Sequence, residues 1–111
     1  AVLGIEVEVI TSERKILLSV DREILVGRLD ATQGIFPELD LTADGALEHG
    51  VSRRHARIYS RDGKCYVEDL NSSNHTLLNG ERLIAHLPYA FRNEDILSFG
   101  TLETKVHIYT N

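Results

Sequence analysis

Residues 56–70 read Ala56-Arg57-Ile58-Tyr59-Ser60-Arg61-Asp62-Gly63-Lys64-Cys65-Tyr66-Val67-Glu68-Asp69-Leu70. Ala56 and Ile58 alternate with polar neighbours, and Tyr66 to Leu70 returns as a second extended run. Asp62-Gly63 between them favours a tight hairpin, because glycine accepts positive φ. The same period of two recurs outward along the chain, at Ile5, Val7 and Val9, at Ile16, Leu18 and Val20, and at Leu102, Thr104, Val106 and Ile108. Asn79-Gly80 predicts a further tight hairpin and Asp21-Arg22 another. No stretch keeps a 3.6-residue period for the ten or so residues that a helix needs. Many short strands with regular turns predict an all-β chain folded as an antiparallel β-sandwich. The exception is the segment from Asp30 to Gly50. Gly34, Pro37 and Asp44-Gly45 make it an extended loop, interrupted by a short strand at Leu39 to Leu41. A loop of that length in a small domain is usually functional or disordered.

The chain has 111 residues, enough for a single domain over 1–111 that buries a core without metal or disulfide staples. Its one cysteine, Cys65, has no internal partner, which predicts a reducing, cytoplasmic setting. No apolar run approaches the ~20 residues of a membrane span, and Ala1 to Ile10 lacks the pattern of a signal peptide. The expectation is a soluble chain with no membrane partner. A start at Ala1 suggests a piece of a longer protein. The formal net charge of -5 argues against nucleic acid, whose binders carry a basic balance or a dominant basic face. The histidines His49, His55, His75, His86 and His107 and the lone Cys65 show no ligand spacing, so no metal and no cofactor are expected.

Three polar runs stand where strands meet loops: Gly27-Arg28, then Gly50-Val51-Ser52-Arg53-Arg54-His55, then Asn71-Ser72-Ser73-Asn74-His75-Thr76. Each has a bland reading. A lone arginine at a strand end is usually solvated, a serine before a strand bonds local backbone, and a Ser/Asn-rich hexapeptide is first a loop. Together they gather guanidinium, hydroxyl and carboxamide groups, which is the chemistry of holding a phosphate. Ser52, His55 and Asp69 also invite a triad. No glycine-flanked elbow surrounds Ser52, no oxyanion-hole motif is present, and Arg53, Arg54 and Arg57 disfavour an imidazolium. An enzyme is not expected.

In this order the runs resemble the forkhead-associated (FHA) family. The motifs are Gly27-Arg28, Ser52-Arg53-Arg54-His55, Ser72-Ser73-Asn74-His75 and Asn79-Gly80, followed by Asn93-Glu94-Asp95-Ile96 and Phe99-Gly100. The likeness covers roughly residues 3 to 109. It implies a sandwich of about eleven strands that binds phosphothreonine in a partner protein or peptide through loops at one end. By analogy Arg28 and Ser52 grip the phosphate, and Arg53 and Ser73 contribute to it or to neighbouring peptide groups. Asn74 holds the peptide main chain, while Gly27, His55 and Thr76 are scaffold. The isolated domain is expected to be monomeric. The alternative is a module of the same fold that acts on an unphosphorylated partner or on its own kind. The departure is His75, where the family usually has glycine. If that position needs positive φ, histidine strains the loop.

Overall fold

Period-two alternation becomes two packed sheets in the computed structural model, which describes residues 1–111. The strands are β1 (Val2–Val9), β2 (Lys15–Leu18), β3 (Ile24–Gly27), β4 (Leu39–Asp40), β5 (Arg54–Arg61), β6 (Lys64–Asp69), β7 (Thr76–Leu78), β8 (Glu81–Arg82), β9 (Tyr89–Phe91), β10 (Ile96–Phe99) and β11 (Leu102–Thr110). One sheet has the order β2-β1-β11-β10-β7-β8 and the other β4-β3-β5-β6-β9. The expected all-β sandwich of eleven strands is therefore observed. Its pairings are antiparallel except one, the short parallel contact of β3 with β4.

The inward residues are those that alternate in the sequence. Ile5, Val7 and Val9 of β1 face Leu102 and Val106 of β11 and Leu97 of β10, and the second sheet answers with Ile24, Val26, Ala56, Ile58 and Val67 in one apolar cluster. Burying such faces is the main favourable term for a sandwich of this size. Thr104 is fully buried among them, and its hydroxyl donates to the Leu97 carbonyl at 2.8 Å, so no polar group is left unpaired.

Both glycine hairpins form as the dipeptides predict. Asp62 and Gly63 have φ of 53° and 77°, and Asn79 and Gly80 have 51° and 85°, between the pairs Arg61 with Lys64 and Leu78 with Glu81. Positive φ at both central residues matches the right-handed twist of the flanking strands. Asp21-Arg22 is different: it closes no hairpin. β2 and β3 lie in opposite sheets, and Val20, past the end of β2, turns into the core. The chain therefore crosses the sandwich edge between Leu18 and Ile24.

The segment from Asp30 to Gly50 is built structure. It contains 3-10 turns at Ala31–Gln33 and Thr42–Asp44 around β4, and Leu39, Leu41 and Ala46 anchor it in the core. Asp44 clamps it to the β1–β2 turn, accepting from Arg14 Nη2 at 2.7 Å and from Ser12 Oγ at 2.7 Å. The expected short strand is present as Leu39–Asp40.

Candidate functional site

The three polar runs sit on the connections β3–β4, β4–β5 and β6–β7, and the sandwich brings them to one end. Gly27 makes the approach possible. A Cβ there would lie 1.8 Å from the Arg53 carbonyl oxygen, so only glycine allows β3 to pass so close to the start of β5. The ladder shifts register at this point, and the Arg28 amide donates to the same Arg53 carbonyl at 3.2 Å. Arg28 is half-buried, and its Nε donates to the Val51 carbonyl at 2.8 Å. That bond fixes the guanidinium by its inner nitrogen and leaves the donors of the two terminal nitrogens without a partner in the protein.

Ser52 follows Val51. Its Oγ accepts the Ser73 amide at 3.2 Å, which joins the β4–β5 loop to the β6–β7 loop and leaves the hydroxyl hydrogen available. Ser73 is exposed. Arg28, Ser52 and Ser73 are thus linked in series through Val51 and this one hydrogen bond. Asn74 is also exposed, and its Nδ2 donates to the Gly50 carbonyl at 3.1 Å. Gly50 has φ of 77°, and a Cβ there would meet Asn74 Nδ2 at 2.6 Å. Arg53 stands somewhat apart. Its Nε pairs with Asp30 Oδ2 at 2.7 Å, so part of its charge is neutralised by the long loop.

Beneath the loops lies His55, fully buried. Its Nδ1 accepts the Ser52 amide at 3.0 Å, so the proton is on Nε2, which donates to the His75 carbonyl at 2.9 Å. The ring also meets Phe99 edge-on, with centroids 5.6 Å apart. Burial pushes its pKa below the ordinary histidine value. Both ring nitrogens are spent on backbone, and neither touches the Ser52 hydroxyl, so this is not the geometry of a nucleophile with its base.

Asp69 is the residue whose importance the sequence hides. It is buried and its Oδ1 accepts from Ser72 Oγ at 2.6 Å and from Thr76 Oγ1 at 2.7 Å. Its Oδ2 accepts the Ser72 amide at 3.1 Å. Thr76, fully buried, is therefore a strut of the β6–β7 loop, with Asp69 as the hub. The signal lies in Asp69 with Ser72 three residues on, the spacing of a side chain that bonds local backbone in a turn.

His75 has φ of 72°, the left-handed region that favours glycine. Its carbonyl accepts from His55 Nε2 and from the Gly100 amide at 2.9 Å, so the backbone there is held from two sides. Left-handed geometry costs a side-chain residue about 1–2 kcal/mol, against about 0.5–1 kcal/mol of chain entropy that glycine loses. His75→Gly is expected to raise stability by roughly 0.5 kcal/mol and to leave the loop shape unchanged. Urea unfolding of the two proteins checks it, and a loss above 1 kcal/mol would show that the imidazole itself supports the loop.

The sequence model of the FHA domain matches residues 24–100. Over 54 residues the chain is 43% identical to "Probable E3 ubiquitin-protein ligase dma1" of Schizosaccharomyces pombe. That stretch is 45% of this chain and 20% of the relative, so the chain spans about a fifth of the relative's length. The FHA domain of a hypothetical protein of Arabidopsis thaliana superposes with a TM-score of 0.78 at 24% identity, covering 97% of this chain and 87% of that one. EmbR of Mycobacterium tuberculosis, solved in complex with a low affinity phosphopeptide, superposes with a TM-score of 0.75 at 24% identity, covering 97% of this chain and 25% of that one. At these identities the likeness is one of fold.

Proposed function

The chain belongs to the FHA domain family, and from that premise we propose that it is a non-catalytic phosphopeptide-binding module whose ligand is a phosphothreonine in a partner protein. The observation that carries the reading is the hydrogen bond between Ser52 and Ser73, beside an Arg28 anchored on Val51. It ties the backbone of Ser73 to the Ser52 hydroxyl, next in sequence to the Val51 carbonyl that holds Arg28, and leaves the Ser52 hydroxyl hydrogen unspent. Arg28 and Ser52 hold the phosphate, Ser73 adds a donor, and Asn74 meets the peptide main chain with the carboxamide oxygen that its bond to Gly50 leaves open. Arg53 is assigned a supporting part, because it shares its charge with Asp30. The buried, unpaired Cys65 supports a reducing, cytoplasmic setting.

The energetics are adequate. A phosphothreonine carries about -1.5 to -2 charges and three acceptor oxygens, and each charge-assisted bond contributes roughly 1.5–3 kcal/mol net. Three or four such bonds give on the order of 5–12 kcal/mol before the cost of immobilising the peptide. Micromolar affinity, about -8 kcal/mol, therefore needs main-chain contacts as well, which is the part assigned to Asn74. The net charge of -5 is no obstacle. Distant carboxylates are screened beyond ~8 Å at physiological salt.

A peptide array that presents phosphothreonine, phosphoserine and unmodified threonine in the same sequence contexts tests the reading. Binding confined to phosphothreonine is expected. Equal binding to unmodified threonine would overturn it.

A further inference from the structure

Two arginines of the phosphate end meet through one backbone contact, in which the Arg28 amide donates to the Arg53 carbonyl at 3.2 Å. Their side chains are held differently. Arg28 rests on a neutral group, the Val51 carbonyl, and keeps its full charge. Arg53 rests on a carboxylate, with Nε 2.7 Å from Asp30 Oδ2. Asp30 lies two residues beyond Arg28, so the loop that supplies one cation also supplies the anion that occupies the other.

Asp30 is placed by the fold. Its amide and carbonyl exchange hydrogen bonds with Ile35 at 3.0 and 2.9 Å in an antiparallel bridge, and Ile35 is buried. That bridge closes the 3-10 turn at Ala31–Gln33 and fixes the backbone from which the carboxylate projects. Asp30 Oδ1 accepts from Thr32 Oγ1 at 2.6 Å, which leaves Oδ2 for Arg53. The Thr32 hydroxyl, more than the Arg53 charge, holds the carboxyl below its ordinary value, so it is ionised at neutral pH. The two partners differ in freedom. Thr32 belongs to the turn, whereas the Arg53 side chain is 52% exposed against 17% for Asp30. Arg53 can therefore move off while Thr32 stays on the carboxylate.

We propose that Asp30 is an internal competitor of the ligand: its carboxylate holds Arg53, and the phosphate of a bound phosphothreonine takes that guanidinium over. The proposal deepens the phosphothreonine reading above and rests on it. Arg53 follows Ser52 directly, so a phosphate on the Ser52 hydroxyl is within reach of its long side chain. The exchange favours the ligand, because a phosphothreonine brings about -1.5 to -2 charges and three acceptor oxygens where Asp30 brings one charge. It also lowers affinity by whatever the Arg53 pair with Asp30 contributes. Ion pairs as exposed as this one are weak, so Asp30 attenuates binding without closing the site. Among variants of one interface, affinity differences lie mostly in dissociation. The competitor thus shortens the life of the complex.

The test is titration calorimetry on the whole domain at physiological salt, with the phosphothreonine peptide that binds best on the array and its unphosphorylated form. The proteins are the wild type, Asp30→Asn, Arg53→Gln and the double variant. Asp30→Asn keeps an acceptor for Thr32 and removes the charge, and it is expected to tighten binding about fivefold. In the Arg53→Gln background the same change is expected to gain at most about twofold, which is the direct repulsion between Asp30 and the phosphate. Asp30→Ala should show the same two gains and stands in should the asparagine variant fail to fold. No gain, a loss, or a gain of equal size with and without Arg53 overturns the competitor while the phosphothreonine grip stands. Failure of the wild type and Asp30→Asn alike to prefer the phosphorylated peptide overturns the grip, and the competitor with it.

Discussion

Arg28→Ala is expected to weaken binding of a matched phosphothreonine peptide at least tenfold, with the domain still folded. The two terminal nitrogens of Arg28 take no part in its anchor on Val51, which is made by Nε, and charge-assisted bonds to phosphate contribute roughly 1.5–3 kcal/mol each. Loss of one such bond already corresponds to about tenfold at 1.4 kcal/mol per decade, and loss of two to a hundredfold or more. The same change removes the bond to the Val51 carbonyl, a stability loss of about 1 kcal/mol, well inside the 5–15 kcal/mol typical of a domain. Arg28→Lys separates charge from shape. It keeps a cation but not the planar fork that grips loop and phosphate together, so an intermediate loss is expected. Calorimetry on the three proteins, with urea unfolding as the control for folding, decides it. Unchanged affinity in Arg28→Ala would remove the residue from the site.

How much of this is readable in the sequence depends on the range of the interaction. The strands and the two glycine hairpins are local in origin, set by alternation and by φ preferences, and they are legible. Asp21-Arg22 misleads because a bend within one sheet and a crossover between sheets use the same turn residues. What separates them is the sheet that the next strand joins, a tertiary fact. The site divides in the same way. The loops that carry Arg28, Ser52 and Asn74 announce themselves by composition, and the need for positive φ at position 75 is legible from the resemblance. The pairing of Arg53 with Asp30 across 23 residues is not, and the role of Asp69 is only hinted at by Ser72 three residues on, while Asp69 also invites a triad that the structure does not form. Its three hydrogen bonds appear once the β6–β7 loop has closed over it.

Asp69→Ala is accordingly expected to destabilise the domain by about 3 kcal/mol, more than any change at the exposed site residues. It leaves three donors, Ser72 Oγ, the Ser72 amide and Thr76 Oγ1, in a buried setting without their acceptor. Each unsatisfied buried group costs about 1–3 kcal/mol, reduced where a hydroxyl can rotate to a new partner. Phosphopeptide affinity should fall as well, because Ser73 and Asn74 ride on the loop that Asp69 holds, whereas Ser73→Ala should affect binding and hardly stability. The acid limb supplies a second readout. Burial pushes the Asp69 pKa up, but the bonds from Ser72 and Thr76 outweigh it, and the carboxyl lies below its ordinary value. A depressed folded pKa means that the unfolded chain binds the proton more readily. The stabilisation is therefore complete above about pH 4 and is lost as pH falls through the folded value. His55 acts earlier. Its pKa is lowered by burial, so stability begins to fall once pH drops below the ordinary histidine value of about 6.5. Asp30, Asp44, Glu68 and Glu94 are also held below their ordinary values and remain in the variant. The quantity to compare is thus the difference between the two acid limbs measured by urea unfolding from pH 7 to pH 3. That difference should widen somewhat below about pH 6.5, because the Asp69 carboxylate raises the His55 pKa in the wild type, and should shrink below about pH 4. A difference that stays constant to pH 3 would mean that the carboxylate charge of Asp69 is not what shapes the loop.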